Sequence, residues 1–187
     1  KLWSAVDENS EIYQLNQKKK MKVSDETLEL IEFAKKKSAQ SGDAFDISIY
    51  PIVELWGFPT QKYRVPSDSE IKSLLKNVDC QKIKVNKKTN VVTLEKNMKI
   101  DLGGIAKGYT SQRIAKVYKE DGVKSGVISL GGNVQAIGKK TDGSYWKVGV
   151  QSPDDTENMI GAYEADDEAV ITSGAYERYF EKNGKRY

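Results

Sequence analysis

Short strand-like runs separated by turn residues fill the last third of the chain, and this pattern constrains the fold more than any other feature. The runs are GVISLGG, NVQAIGKK, YWKVGVQS, MIGAYEA, AVITSG and ERYFEKNGKRY. Asn183-Gly184 in the last run is a strong signal for a tight hairpin. We therefore expect this part of the chain to form largely antiparallel strands. Because only three residues follow the hairpin turn, we also expect the domain to continue beyond Tyr187.

The first two thirds of the chain mix helical patterns with strand patterns. Ser24 to Gln40 has the pattern of a helix, with acidic residues in its first turn and lysines later. A second helix is predicted to begin at Ser67, because Ser67 and Glu70 have the spacing of a capping box. QKIKVNKKTNVVTLEKN is predicted to form a hairpin, and a third helix is predicted from about Lys107 to Glu120.

The segment AFDISIYPIVELWGF mixes alternating and continuous apolar positions, which predicts a strand or loop that runs into the core. Helices and strands are thus mixed without regular βαβ alternation, so the predicted fold class is α+β. A chain of 187 residues is long enough to bury a core of its own, and we predict one domain over residues 1–187, incomplete at both ends.

The composition excludes several kinds of chemistry. The chain has no histidine, which excludes Ser-His-Asp catalysis, Cys-His catalysis and any histidine-ligated metal within this chain. The single cysteine, Cys80, has no base beside it, so we interpret it as a buried structural residue. A net charge of +3 with dispersed lysines gives little support for nucleic-acid binding. Any bound metal would need oxygen ligands, which favours Mg²⁺ or Ca²⁺.

The segment DLGGIAKGY, from Asp101 to Tyr109, combines an acid, a glycine pair, a lysine and a third glycine just before the predicted helix. Its spacing fits neither the Walker A pattern nor G-x-G-x-x-G. Two interpretations are equally supported by the segment alone. Gly103-Gly104 forms a tight turn while Asp101 caps backbone amides, or the segment binds a ligand at the end of a strand.

Two further segments place polar residues or glycines near apolar runs. SLGGNV has Gly131, Gly132 and Asn133 after an apolar run, although an ordinary type I′ turn would also explain the glycine pair. GDAFDIS contains Asp46 between apolar residues, which predicts a partly buried carboxylate that needs a partner.

A fourth segment, ITSGAYERYF, has three polar or small residues of interest after a predicted strand: Ser173, Gly174 and Arg178. Arg178 has the position to meet a phosphate or carboxylate, but an arginine considered alone is more often part of a surface ion pair. Together, the four segments suit a phosphorylated ligand with polar heterocycles, because backbone amides bind phosphates and carboxylates accept from N–H and O–H groups. A sugar would also suit them.

In this order and spacing, AFDISIYPIVELWGF, DLGGIAKGY, SLGGNV and TSGAYERYF resemble the ApbE family of flavin transferases. The early segment SEIYQLN is also similar to that family's N-terminal SEISRLN, so the resemblance covers essentially the whole chain. It implies a protein that binds FAD and, with Mg²⁺, transfers FMN to a Thr or Ser hydroxyl of a target flavoprotein and releases AMP. It also implies an extracytoplasmic protein, often a lipoprotein anchored to the membrane.

The resemblance assigns roles by motif position. The residues that it places in contact with FAD are Ala44, Phe45, Asp46, Asp101 and Lys107. It makes the backbone carbonyl of Gly104 a metal ligand. The remaining predicted cofactor-binding residues, in the segments placed near the flavin nucleotide, are Gly131, Gly132, Asn133, Ser173, Gly174 and Arg178.

The sequence departs from the family pattern in two places. Val6 stands where relatives have an aromatic residue that contacts FAD. The His-rich segment and the Asp/Thr metal-binding cluster, which the family has soon after GKRY, are not in the chain. A single carbonyl does not hold Mg²⁺ against water, so we expect this segment alone to be inactive. Two alternatives stay open: an FAD hydrolase that gives FMN and AMP, and a flavin-binding module without chemistry.

Overall fold

The computed structural model describes residues 2–155, 157–174 and 179–187. The chain forms two compact units, Lys1–Ala106 and Lys107–Tyr187. Helices dominate the first unit and antiparallel strands dominate the second, which confirms the predicted α+β class. The assignment of residues 1–187 to one domain stays a prediction. Within the described ranges, no helix has both the length and the apolar character needed to cross a bilayer.

The first unit combines helices with a small antiparallel sheet. Its helices are α1 (Glu11–Lys18), α2 (Asp25–Gln40), α3 (Tyr50–Trp56) and α4 (Asp68–Leu75), followed by a 3₁₀ turn at Cys80–Lys82. Its sheet has the order β1-β3-β2 and is formed by β1 (Lys20–Lys22), β2 (Lys84–Asn86) and β3 (Val91–Thr93). The boundary between the units falls within α5 (Gly103–Glu120).

The second unit consists mainly of antiparallel hairpins. One sheet has the order β4-β5-β8, with β4 (Gly126–Leu130), β5 (Asn133–Ile137) and β8 (Ala169–Ile171). The other pairs are β6 (Trp146–Gln151) with β7 (Met159–Ala165), and β9 (Glu181–Lys182) with β10 (Lys185–Arg186). All of the predicted strand runs therefore contain strands. Asn183 and Gly184 have φ angles of 53° and 72°, which confirms the predicted hairpin turn.

The segment SEIYQLN forms α1, a helix that the sequence analysis did not predict. Ser10 is the N-cap, and its side chain accepts a hydrogen bond from the Tyr13 N–H. Glu11 accepts from both the backbone N–H and the hydroxyl of Ser24, the residue that caps α2. The helix is short, and Ile12 and Leu15 form its buried side. The capping serine and the Ile12–Leu15 spacing are the signals that could have identified it.

The helices α2 and α4 confirm the two predictions, the first made from its charge pattern and the second from its capping box. The side chain of Ser24 caps α2 by accepting from the Thr27 N–H. A complete capping box, in which Ser67 and Glu70 each accept from the other's backbone N–H, starts α4. The apolar residues at helical spacing in α2, Leu28, Ile31 and Ala34, are buried, whereas Leu75 of α4 is 46% exposed.

The interpretation of Ala44 to Phe58 as a strand or loop was wrong for its second half, which forms α3. Pro51 lies in the first turn of α3, where its fixed φ angle suits a helix and its missing N–H costs nothing. Gly57 ends the helix in the left-handed conformation. The β-branched Ile52 and Val53 favoured a strand locally, but the two helix-end signals outweigh them.

Helix α5 begins at Gly103, four residues before the predicted start at Lys107. The glycine pair therefore lies in the first helical turn, and the predicted tight turn at Gly103-Gly104 is wrong. The apolar residues of α5 are only partly buried: Tyr109 and Ala115 are buried, but Val117 is 51% exposed and Tyr118 is 45% exposed.

Each unit has its own apolar core. In the second unit, Ala115 of α5 packs with Ile128 of β4 and Ile137 of β5. The largest fully buried apolar side chains of the first unit come from its helices, its sheet and the segments between them: Ile12, Leu15, Leu30, Ile31, Ile47, Ile83, Val92, Met98, Ile100 and Leu102. Cys80 is also fully buried, which confirms its structural interpretation, and burial raises the pKa of its thiol.

Tyr50 makes the stability of the protein sensitive to alkaline pH. Burial, assisted by the negative charges of Glu54 and Asp101, raises the pKa of Tyr50 to about 12. In the unfolded chain the phenol ionises near pH ~10. The folded state then holds one more proton than the unfolded state, so the free energy of unfolding should fall as pH rises from about 10 to 12.

We expect Tyr50→Phe to lose less stability than the wild type over this pH range, because the variant has no phenol to ionise. Urea unfolding at several pH values in the range would measure the difference. Equal loss of stability in both proteins would contradict the prediction.

Candidate functional site

Two of the predicted site segments lie side by side in the first unit. The Asp101 N–H donates to the carbonyl of Ile47 at 2.8 Å, and Ile49 and Lys99 form a parallel bridge. The half-buried ring of Phe45 lies against Gly104: a Cβ atom added to Gly104 would be 3.3 Å from Cε2 of Phe45. The segment after α2 and the start of α5 therefore form one local cluster.

Asp101 caps the start of α5. One carboxylate oxygen, Oδ1, accepts from the Gly103 N–H at 2.9 Å, as the capping interpretation predicts. The other oxygen accepts no hydrogen bond from any residue that the structure describes, and the side chain is only half-buried. Asp101 can thus cap the helix with one oxygen and accept a hydrogen bond from a ligand with the other, so the two interpretations are compatible.

Asp46 has the protein partners that its apolar surroundings predict. Its Oδ1 accepts from the N–H and the hydroxyl of Ser48, at 2.7 and 2.6 Å. Its Oδ2 accepts from the Cys80 N–H at 2.9 Å. The Ser48 hydroxyl also accepts from the Asp79 N–H at 2.9 Å. Asp46 therefore fixes the loop that carries Phe45, whereas its direct contact with FAD stays a prediction.

The described residues do not form a metal site by themselves. They contain no group of three or more Asp, Glu, Cys or His side chains that could hold a metal ion. Gly104, the predicted ligand, lies in the first turn of α5, where its carbonyl can accept from the N–H four residues later. One carbonyl is a minor part of the six-oxygen shell that Mg²⁺ requires.

In the second unit, Lys107 and the SLGGN segment form another cluster. The Lys107 ammonium donates to the carbonyl of Gly131 at 3.2 Å and is exposed. Gly131 and Gly132 are exposed and have φ angles of 52° and 81°, which confirms a type I′ turn between β4 and β5. Asn133 is 3% exposed, and its Oδ1 accepts from the hydroxyl of Ser111 at 3.2 Å.

The TSG segment reaches the same cluster through strand pairing. Ile171 of β8 pairs with Asn133 of β5, and the Thr172 N–H donates to the Gly132 carbonyl at 3.3 Å. Ser173 is exposed and Gly174 is half-buried, directly after this contact. Arg178 lies outside the described residues.

Ala44, which is a predicted FAD contact, and Val6, which replaces the family's aromatic residue, are both exposed to solvent. Ala44 is exposed in the loop after α2, and Val6 is 58% exposed. The sequence analysis missed Ser48 and Ser111, which hold Asp46 and Asn133. Their spacing was the available signal: Ser48 follows Asp46 by two residues, as in an Asx turn, and Ser111 lies one helical turn after Lys107.

Comparison with known proteins assigns the family. The ApbE family model matches residues 1–187, the whole chain. The chain belongs to the ApbE family. It is 35% identical over 167 residues to a FAD:protein FMN transferase from Klebsiella pneumoniae, and 28% identical over 170 residues to the FAD:protein FMN transferase of Escherichia coli K12. Each alignment covers 88% of this chain.

Solved structures of ApbE proteins have the same fold. The crystal structure of the ApbE protein from Thermotoga maritima matches all of this chain with a TM-score of 0.91 and 35% identity. The apo flavinyl transferase ApbE from Pseudomonas stutzeri matches with a TM-score of 0.84 and 29% identity. The chain covers 62% and 59% of those two structures, and about half the length of the two transferases, 51% and 48%.

Proposed function

We propose that the protein carrying this chain is an FAD:protein FMN transferase, which transfers FMN from FAD to a Thr or Ser hydroxyl of a target flavoprotein. The observation that carries the proposal is the cluster at the start of α5. At this cluster in a chain of the ApbE family, one carboxylate oxygen of Asp101 accepts no hydrogen bond from any described residue. Phe45 and Gly104 lie beside each other in the same cluster. In the reaction, the hydroxyl oxygen of the acceptor attacks the phosphorus on the FMN side of the pyrophosphate. The pyrophosphate bond breaks, AMP leaves and the hydroxyl proton is released.

Asp101 would bind FAD by accepting a hydrogen bond from a ribose hydroxyl or a base N–H. The first turn of α5 supports such a polar ligand, because the exposed Gly103 and Gly104 leave backbone within reach. Phe45 would supply an apolar surface for a flavin or adenine ring. Asp46 would keep Phe45 in place through its hydrogen bonds to Ser48 and Cys80.

Lys107 would place a positive charge near the phosphates. Among the residues that the structure describes, its ammonium has one hydrogen bond, to the Gly131 carbonyl, so it can turn toward an anion at little cost. The exposed backbone of Gly131, Gly132 and Ser173 would contribute N–H or hydroxyl donors. The buried Asn133 would hold this hairpin turn in place through Ser111.

Mg²⁺ belongs to the proposal on the family resemblance alone. Among the residues that the structure describes, the Gly104 carbonyl is the one predicted ligand, and they do not suffice for the ion. When bound, Mg²⁺ would neutralise charge on the pyrophosphate. The whole protein, rather than the segment described, is therefore the material for every test of activity.

The test is to incubate the whole protein with FAD and a candidate acceptor flavoprotein, and to measure AMP and FMN by chromatography. We expect AMP release that depends on the acceptor, with FMN bound to the acceptor rather than free. Chelation of divalent cations should stop the reaction, and the chain 1–187 alone should be inactive. Equal release of free FMN and AMP without the acceptor would establish a hydrolase instead, and FAD binding without any turnover would establish a binding module.

Asp101→Asn tests the role of the acid. Asparagine keeps an oxygen for the Gly103 N–H, so α5 stays capped, but the charge of the second oxygen is lost. Because a hydrogen bond to a charged group contributes about 1.5–3 kcal/mol, we expect FAD to bind at least about tenfold more weakly. Asp68→Asn, in the exposed first turn of α4, is the matched control and should bind FAD normally. Unchanged affinity in Asp101→Asn would remove Asp101 from the site.

We further propose that the protein is extracytoplasmic and anchored by a lipid. This location rests on the family resemblance. Protease treatment of spheroplasts, in which the outer face of the cytoplasmic membrane is accessible, tests it: the protein, whether anchored there or periplasmic, should be digested or released, whereas a cytoplasmic marker should survive. Retention of the intact protein inside the spheroplasts would contradict this location.

A further inference from the structure

Asn16, the last residue of SEIYQLN, is joined to the backbone of Ile100 by two hydrogen bonds. Its Nδ2 donates to the Ile100 carbonyl at 2.8 Å, and its Oδ1 accepts from the Ile100 N–H at 2.7 Å. The two residues are 84 positions apart in sequence, and both are buried: Asn16 is 2% exposed and Ile100 is 0% exposed. Asn16 thus satisfies both backbone groups of one buried residue.

This pairing gives Ile100 the hydrogen bonds that a neighbouring β-strand would give it. A side-chain amide offers a donor and an acceptor in one plane, as a backbone peptide does, and no apolar side chain can replace it. The adjacent residue is held from another element, because the Asp101 N–H donates to the Ile47 carbonyl at 2.8 Å. The backbone from Lys99 to Asp101 is therefore fixed by α1 and by the loop before α3.

Asp101 directly follows the clamped residue. The direction of its side chain depends on the orientation of the peptide group between Ile100 and Asp101, and the Ile100 carbonyl that Asn16 binds belongs to this group. Rotation of the Asp101 side chain about its own bonds is restricted by the hydrogen bond from the Gly103 N–H to Oδ1. Loss of the Asn16 pairing would leave two buried backbone groups without partners. This peptide would then be anchored on its N–H side, by the bond from the Asp101 N–H to Ile47, and no longer on its carbonyl side, so it could tilt.

We infer that Asn16 is a positioning residue for FAD binding: it orients the Asp101 carboxylate through the backbone of Ile100. The inference rests on the proposed function, in which Asp101 accepts a hydrogen bond from FAD. It explains why a buried position of α1 has an asparagine, although asparagine is a weak helix former and its neighbour Leu15 is apolar. It assigns to the last residue of SEIYQLN a role in the site that its sequence position, far from DLGGIAKGY, does not suggest.

The test measures FAD affinity and stability together in the whole protein. Asn16→Ala removes both hydrogen bonds, and Asn16→Leu removes them while keeping the branched skeleton of four side-chain heavy atoms, so the test does not depend on a variant that leaves a cavity. We expect both to bind FAD about tenfold more weakly, measured well below their melting temperatures. The KM for FAD should rise similarly, while kcat changes by less than about threefold, because ground-state binding is affected.

The matched control is Leu15→Ala, one residue earlier in the same helix. Leu15 is fully buried, so its truncation should lower stability at least as much as the Asn16 variants do, while the Asn16 side chain and its two hydrogen bonds to Ile100 stay in place. We expect the folded Leu15→Ala variant to bind FAD with unchanged affinity. If this variant binds FAD as weakly as the Asn16 variants, the loss is a general effect of instability and the inference is wrong.

A double-mutant cycle with Asp101→Asn identifies the route of the effect. If Asn16 acts through Asp101, adding Asn16→Ala to Asp101→Asn should weaken FAD binding by less than about threefold further. If the loss of FAD affinity in the double variant equals the product of the losses in the two single variants, Asn16 does not act through Asp101. Unchanged FAD affinity in the single Asn16 variants would exclude any positioning role. Failure of the wild type to bind FAD would instead overturn the proposed function.

Discussion

Replacing Asp46 with asparagine is expected to lower the free energy of unfolding by about 2 kcal/mol. The Asp46 carboxylate accepts from the Ser48 N–H, the Ser48 hydroxyl and the Cys80 N–H, and both Ser48 and Cys80 are fully buried. Asparagine has one oxygen and one NH₂ group. Whichever way the amide is turned, one buried backbone N–H faces another donor and has no acceptor.

The matched control for this substitution is Asp43→Asn, three residues earlier. It removes the same charge, but Asp43 is exposed, and the Ser38 hydroxyl, at 3.1 Å, is the one described group that donates to its carboxylate. An asparagine oxygen can accept this bond equally well. We expect a loss below about 1 kcal/mol, measured by urea unfolding of both variants. Equal losses of unfolding free energy in the two variants would mean that the hydrogen bonds to Asp46 do not stabilise the fold. FAD affinity should fall in Asp46→Asn as well, because the loop that carries Phe45 loses an anchor.

Gly57→Ala is expected to lower the free energy of unfolding by at least about 3 kcal/mol. Gly57 ends α3 with a φ angle of 83°, in the left-handed region. A Cβ atom added there would lie 2.0 Å from the carbonyl oxygen of Lys62 and 2.6 Å from its carbonyl carbon. These are backbone atoms, so the loop after α3 would have to move.

Gly42→Ala separates the two causes of that loss. Gly42 follows α2 with a φ angle of 61°, but an added Cβ atom would meet nothing within 4 Å. Only the left-handed conformation is unfavourable there, at a cost of about 1 kcal/mol. Thermal or urea unfolding of the two variants would measure the difference. If Gly57→Ala were no worse than Gly42→Ala, the close approach to Lys62 would not exist in solution.

The elements predicted from the sequence are those with strong local signals. The capping box of Ser67 and the Asn183-Gly184 turn each fix a few hydrogen bonds within their own segment, and each is present. The acidic first turn of α2 is also a local signal, and that helix is present as well. The start of α5 was missed because glycines normally weaken a helix. In the structure, the capping bond from Asp101 and the burial of Leu102 support the first turn.

The candidate site was predictable as a set of segments but not as a set of contacts. The order of the segments led to the family and to Asp101, Lys107 and the glycine turns. The bond from the Cys80 N–H to Asp46 and the pairing of Asn16 with Ile100 join residues 34 and 84 positions apart, so no local pattern contains them. The position of Ser111 one helical turn after Lys107 is a local signal, but the contact of Ser111 with the buried Asn133 joins residues 22 positions apart.

The most direct test of the proposed function is the intact mass of an acceptor flavoprotein after incubation with the whole protein, FAD and Mg²⁺. We expect the acceptor to gain the mass of one FMN joined as a phosphoester, on a Thr or Ser identified by fragmentation. Substitution of that acceptor residue by alanine should prevent the gain. An acceptor that keeps its original mass, while FAD is converted to free FMN and AMP, would contradict the account.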